Sequence, residues 1–362
     1  MKKVLFVSRF RPSTLPPFLA LIDVMLNHKE YDIKVIAGEE DPEIDELYKD
    51  KSIEFIHYYD RNYSKNPFIR RFQIYKKKAQ FYFGVKRDIE RINPDLLWVI
   101  HEATAIRISR LLTRPFILSV YELNDTFPQI TKKLIPITRK AKVNIACEYN
   151  RSQMMKLWYN LPEAPVVLPN KPYTHPRSKN IPTSTIVDQL TDKIILYQGR
   201  MYPGERNLEA LCEAVSRMKG FVLVLMGHKN AYSQMLIDKY PSVKLIDYIK
   251  APFHLAVTSH AYIGVVTYSY NCLDTIYCAP NKIWEYSGFS IPMIANDIPG
   301  LKYTVEAAKS GLCVDTDDPD AIIQAIEKID RNYDHFKANA IKMYDQCNIT
   351  EIVENVLNKF FS

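Results

Sequence analysis

Twelve short apolar runs, separated by longer amphipathic stretches, most constrain what this chain can fold into. The first six lie at residues 4–8, 33–37, 53–57, 96–100, 116–120 and 143–147, and the second six at 194–198, 221–226, 243–246, 262–267, 292–295 and 312–314. Several are apolar without a break, as strands are when helices cover both faces of a parallel sheet, and the intervening segments are long enough for crossover helices. One hydrophobic core rarely serves more than roughly 250–300 residues. At 362 residues the chain is therefore read as α/β with two doubly wound Rossmann-like domains.

A proline-rich stretch at 169–178 cannot continue a helix or a central strand, and the hinge is expected there. The expected layout is a first domain over 1–172, a linker over 173–190, a second domain over 191–345 and a terminal helix over 346–362 that packs back on the first domain. Asp318-Pro319 reads as a helix start, with the aspartate at N-cap and the proline at N1.

With 47% hydrophobic and 25% charged residues, disordered and fibrous classes are excluded. No apolar run approaches the ~20 residues of a membrane span, and the run after Lys2-Lys3 is too short for a signal-peptide core. The expected location is the cytoplasm. Six cysteines with no C-x-x-C pair argue against zinc or a disulfide framework, and neither metal nor cofactor is expected.

Charge and glycine divide the halves. Residues 1–180 carry 31 Lys/Arg against 20 Asp/Glu, or +11, and residues 181–362 carry 17 against 21, or −4. Eight of the ten glycines lie between 199 and 311, several directly after expected strands, where an open α/β sheet holds its ligand. The second domain is thus expected to bind a nucleotide-like molecule. Residues 194–211 read as strand, glycine turn and helix, with Arg200 and Arg206 beside backbone N–H groups, a suitable setting for a diphosphate. Neither the P-loop nor the G-x-G-x-x-G pattern is present, which weakens NTPase and dehydrogenase readings. In "APNKIWEYSGFSIPMIAN", residues 279–296, Lys282 and Glu285 share one face of a helix that ends at Gly288, ahead of a strand.

"LYQGRMYPGERNLEAL", "FVLVLMG", "CAPNKIWEYSGFSIPMIANDIPGL" and "SGLCVDTDDPDAIIQAI", in this order and spacing, resemble the second domain of retaining GT-B glycosyltransferases of the family 4 type. "LLWVIHEAT", "ILSVYELND" and "APVVLPNKP" extend a weaker similarity into the first half. The resemblance implies two domains facing a central cleft and transfer of a hexose, with retention, from a nucleotide-diphosphate sugar. UDP-sugar is preferred, with GDP-mannose as the other donor, and the expected acceptor is a glycan or lipid-linked sugar of cell-surface polysaccharide synthesis.

By the same resemblance Arg200 and Arg206 grip the diphosphate as catalytic groups, and Glu285 holds the ribose. Gly199, Gly227, Asn281 and Lys282 complete the donor site, with the backbone at Tyr248 and Ile249 meeting the base. His101, after the run at 96–100, is expected near the reacting sugar. The family's Glu-x7-Glu pair is broken, because Tyr277 stands eight residues before Glu285. Asp274 and Tyr277 are the candidates for sugar contact instead. Glu122 and Asp125 are candidates for acceptor hydroxyls or for capping the next helix.

Residues 61–91 carry ten Lys/Arg interleaved with Phe and Tyr. Lipid-linked acceptors are common in the family, so an anionic membrane surface is the expected partner and nucleic acid is not, with the protein peripheral on the inner face. A sugar-nucleotide epimerase of the same fold, and a non-catalytic sugar-nucleotide sensor, are the rival readings.

Overall fold

The computed structural model describes residues 1–362, which divide into two compact units, Met1–Pro169 with Ile349–Ser362, and Asn170–Asn348. The first unit is built on seven strands: β1 (Lys2–Ser8), β2 (Tyr31–Ala37), β3 (Ile53–Ile56), β4 (Leu96–Ile100), β5 (Phe116–Val120), β6 (Val143–Ala146) and β7 (Val166–Val167). Their order is β3-β2-β1-β4-β5-β6-β7, all parallel. The second unit holds β8 (Lys193–Gln198), β9 (Phe221–Met226), β10 (Lys244–Ile246), β11 (Ile263–Val266), β12 (Met293–Asn296) and β13 (Gly311–Val314), ordered β10-β9-β8-β11-β12-β13 and again parallel. Each sheet therefore reverses its winding once, between β1 and β4 and between β8 and β11. In open α/β sheets the ligand crevice opens at that reversal, outside the carboxyl ends of the strands.

The unbroken apolar runs follow from burial on both faces. Along β8, Ile194 and Leu196 enter one core with Val224, Met226 and Tyr286, while Ile195 and Tyr197 enter another with Leu223, Leu225 and Ile326. Each buried side chain of this size contributes ~1.5–3 kcal/mol, so a polar residue inside such a strand needs a compensating role. Gln198, buried at the end of β8, is such a residue.

The segment 173–190, expected as a linker, packs into the second unit. Val187 and Ile181 join the unit's core. His175 lies 4.2 Å from the Phe289 ring and donates from Nε2 to the carbonyl of Glu285, 3.0 Å away. Just ahead, Lys171 donates to the carbonyls of Tyr344 and Cys347, capping the helix Tyr333–Gln346. The last helix, Ile349–Phe361, belongs to the first unit, with Phe360 buried and Lys2 3.6 Å from the Phe361 ring. Asp318 caps the helix Pro319–Arg331 through the N–H of Asp320 at 2.9 Å.

Candidate functional site

At the carboxyl edge of β8 and β11, the chain leaves β8 through Gly199, whose φ of +139° is open to glycine alone at no strain. The helix Asn281–Gly288 starts opposite, after Pro280, with Asn281 half-buried at its first position. It ends where expected, and Gly288 is required because a Cβ there would sit 2.5 Å from the His175 ring. Lys282 is buried in the first turn, its ammonium 4.4 Å from the Tyr197 ring centre and 5.6 Å from that of Tyr268. A Cβ on Gly199 would stand 3.0 Å from this ammonium. The guanidinium of Arg206 lies over the same Tyr268 ring at 3.9 Å.

Two cations thus share one aromatic platform, and Lys282 forms neither an ion pair nor a hydrogen bond within the protein. Burial, followed by the charge of Arg206, pushes its ammonium down to about 7, against a smaller upward pull from Glu285. An anion there would reverse both effects. The structure joins Arg206 to Lys282 rather than to Arg200. Arg200 is exposed, and only its carbonyl is held, accepting from the Tyr197 hydroxyl.

Glu285 is buried one helical turn beyond Lys282. Its Oε1 is 3.0 Å from His254 Nε2, and its Oε2 accepts from Gln198 Nε2. Gln198 in turn accepts from Thr258 at 2.8 Å. Burial raises the Glu285 carboxyl, but His254 and Lys282 outweigh it, and the group sits below its ordinary value. Two of a carboxylate's roughly four acceptor positions remain for a diol.

On the β9–β10 side, Tyr248 stacks on His228 at 4.3 Å, and the Tyr248 N–H is taken by Asp247 at 2.8 Å. That leaves the N–H and C=O of half-buried Ile249 unpaired. Gly227, expected to complete the donor site, is required first by the protein's own packing. A Cβ there would fall 2.1 Å from the carbonyl of Gly199, so the close approach is to the protein's own backbone. Asp274, in the first turn of the short helix Leu273–Ile276, and Tyr277, just after it, are both half-buried. A cavity of about 380 Å³, lined among others by Gly204, Tyr268, Asn296 and Asp315, adjoins the cationic platform.

In the first unit, His101 follows β4 at φ 74°, a conformation that costs a non-glycine residue ~1–3 kcal/mol. Its Nδ1 accepts from the N–H of Ala103 at 3.1 Å, capping the helix Glu102–Ile108. Burial, with Arg9, lowers its imidazole against the pull of Glu102. A neutral ring with Nδ1 as acceptor carries its proton on Nε2, so His101 offers a donor there. The ring packs 4.6 Å from Phe10, and buried Glu102 accepts from the N–H of Tyr121 at 3.2 Å. Glu122 is exposed, 3.7 Å from Arg151, and Asp125 is half-buried; no side chain caps the next helix, Pro128–Thr138.

His254, Gln198 and Tyr268 were not singled out in the sequence. Gln198 had a legible signal, a polar residue closing an apolar strand, whereas His254 lies in no pattern and meets Glu285 only through the tertiary fold.

Residues 192–332 match the family model described as Glycosyl transferases group 1. The stretch contains Gly199, Arg206, Lys282 and Glu285. A comparison with curated proteins returns no match. Among solved structures, sucrose-phosphate synthase from Thermosynechococcus elongatus is 14% identical over 100% of this chain and 99% of its own, with a TM-score of 0.73. HepE from Anabaena in complex with UDP and glucose is 13% identical over 100% of both chains, with a TM-score of 0.72. The S. aureus MnaA–UDP structure is 16% identical over 100% of this chain and 97% of its own, with a TM-score of 0.69. At these identities the likeness is one of fold, and it spans the whole chain.

Proposed function

We propose that this chain, a GT-B fold whose second unit carries the glycosyl transferases group 1 match, moves a hexose from a UDP-sugar to a hydroxyl of a glycan or lipid-linked acceptor. Cell-surface polysaccharide synthesis is the setting this chemistry suits, and retention is the outcome the family resemblance favours. The observation that carries the reading is the convergence of Lys282 and Arg206 on Tyr268, beside Gly199, at the winding reversal between β8 and β11. Two cations held together without a protein counter-ion are costly unless a multiply charged anion joins them.

In this reading the diphosphate lies against Lys282 and Arg206, and the ribose hydroxyls bond the free lone pairs of Glu285. Ile249 offers one donor and one acceptor from a single residue, which suits the imide edge of uracil. Neighbours of the same fold in complex with UDP are in keeping with this. As the glycosidic bond breaks, negative charge grows on the leaving diphosphate. Cations already fixed over ring faces stabilise it with little reorganisation. The leaving phosphate can take the acceptor's proton on the same face, so no carboxylate nucleophile is required. The Nε2–H of His101 is suited to donate to a sugar hydroxyl. A lipid-linked acceptor calls for work at a membrane surface, and no helix is long and apolar enough to cross one.

A melting-temperature panel of UDP, GDP and dTDP with their sugars tests the donor, since ligand binding raises the midpoint by mass action. A shift with UDP compounds is expected. No shift with any nucleotide removes the reading, a shift with GDP-mannose alone replaces the base, and conversion of the donor without acceptor moves the chain to the epimerases.

A further inference from the structure

We propose that the amino-terminal half of the helix Pro67–Ile92 is a docking surface for an anionic lipid bilayer, with Phe68, Phe72 and Tyr75 entering the headgroup region and Arg71, Lys76 and Lys86 meeting lipid phosphates. The helix has 26 residues, yet no residue before Phe81 is buried. Over its first fourteen residues, from 67 to 80, it buries no side chain fully, and only Gln73, Ile74, Lys77 and Lys78 are half-buried.

What it presents outward is unusual for a solvated face. Phe68, Phe72, Tyr75 and Phe83 are 85%, 68%, 61% and 65% exposed. Their spacing of i, i+4, i+7 and i+15 places them on one stripe of a 3.6-residue period, opposite the buried Phe81, Val85 and Asp88. No Asp or Glu occurs from 61 to 87. Lys77 turns back to Asp60, and Arg87 and Arg91 are taken by Asp88, while Arg71, Lys76 and Lys86 enter no ion pair. Arg70 and Arg71 even sit near the helix N-terminus, where the dipole disfavours cations and where the first turn holds no acid.

Local rules broken together in this way mark a surface shaped by a partner. A duplex nucleic acid would use the cations but not the phenyl rings, and an acidic protein would leave the rings in water. A bilayer interface uses both at once, rings at the acyl boundary and cations at the phosphates. The inference rests on this helix alone and needs no donor chemistry.

Flotation of the full-length protein with phosphatidylcholine vesicles, with and without phosphatidylglycerol, is the test. Wild type should float only with the anionic vesicles. Arg71→Gln/Lys76→Gln should weaken binding roughly thirtyfold, and Phe68→Ser/Phe72→Ser should release the protein, both with unchanged melting temperatures because all four side chains are exposed. Equal binding to neutral vesicles, no binding to anionic ones, variants that float like wild type, or helix-dependent binding of a single-stranded oligonucleotide in place of vesicles would overturn the proposal. The UDP-induced melting shift, read on the same preparations, reports the donor site separately.

Discussion

UDP binding should weaken sharply as pH rises above neutrality, and Lys282 should be the cause. In the free protein its ammonium is pushed down to about 7 by burial and by Arg206. A bound diphosphate needs that ammonium charged and would return its pKa to the ordinary range near 10.4. Binding then takes up a proton wherever the free lysine is neutral. With a free value near 7, half the sites are protonated at pH 7 and about one in a hundred at pH 9. The apparent affinity should fall about fiftyfold between those two values, on the order of 2 kcal/mol.

The terminal phosphate does not confound the comparison, because it is almost wholly ionised above its second pKa of about 6; the uracil imide, which loses its proton toward the alkaline end, acts alike on wild type and Lys282→Arg. Isothermal titration at pH 7, 8 and 9 reads the affinity, and buffers of different ionisation enthalpy read the proton directly. Lys282→Arg keeps a charge that does not titrate, so its affinity should fall far less across the window, and the difference from wild type reports the lysine. Lys282→Met should bind weakly at every pH. The same burial makes a stability prediction of opposite sense. The folded-state value lies below the unfolded one, so the penalty is fully present below about pH 7 and fades as pH rises toward the unfolded value. Lys282→Met should therefore raise the melting temperature of the unliganded protein at pH 6, the penalty removed being on the order of 5 kcal/mol. A wild-type affinity independent of pH from 7 to 9 would refute the placement of Lys282 against the diphosphate.

Arg206→Ala removes the partner cation from an exposed loop and should slow sugar transfer about a hundredfold, near 3 kcal/mol, with the fold intact; turnover close to wild type would take Arg206 out of the site. His101→Gly should relieve the strained φ while removing the Nε2 donor, so the melting temperature should hold within a few degrees and turnover should fall at least tenfold. A loss of folding instead of turnover would make His101 a structural cap.

The sheets were legible because burial on both faces writes itself into sequence as unbroken apolar runs; β7 was missed because two residues, Val166–Val167, carry no period. The linker misled because prolines at 169, 172 and 176 signal a break in helix and strand, and say nothing of whether the broken segment packs. Its anchors, Val187 in the core and His175 against Phe289, depend on partners more than a hundred residues away in the case of His175. The site divides along the same line. Lys282 and Glu285 could be read as one face of one helix, whereas Tyr268 and His254 reach them from loops that no local pattern connects. Gly227 shows the converse hazard, a glycine beside a ligand site whose missing side chain makes room for the Gly199 carbonyl.

The spacing of Lys282 and Glu285 would ordinarily suggest a mutual ion pair, and the structure separates them instead. The carboxylate has His254 and Gln198 as partners and remains ionised inside the fold. The ammonium has only the faces of Tyr197 and Tyr268, with Arg206 repelling it across the second ring. If stability alone governed the position, a neutral side chain of similar length would serve better, since a buried charge without a counter-ion is a net cost. Turning the two charges away from each other leaves one satisfied acceptor with lone pairs to spare and one unsatisfied cation, three residues apart on one helix. That asymmetry suits a ligand that is a diol at one end and a polyanion at the other, which is the form of a nucleoside diphosphate.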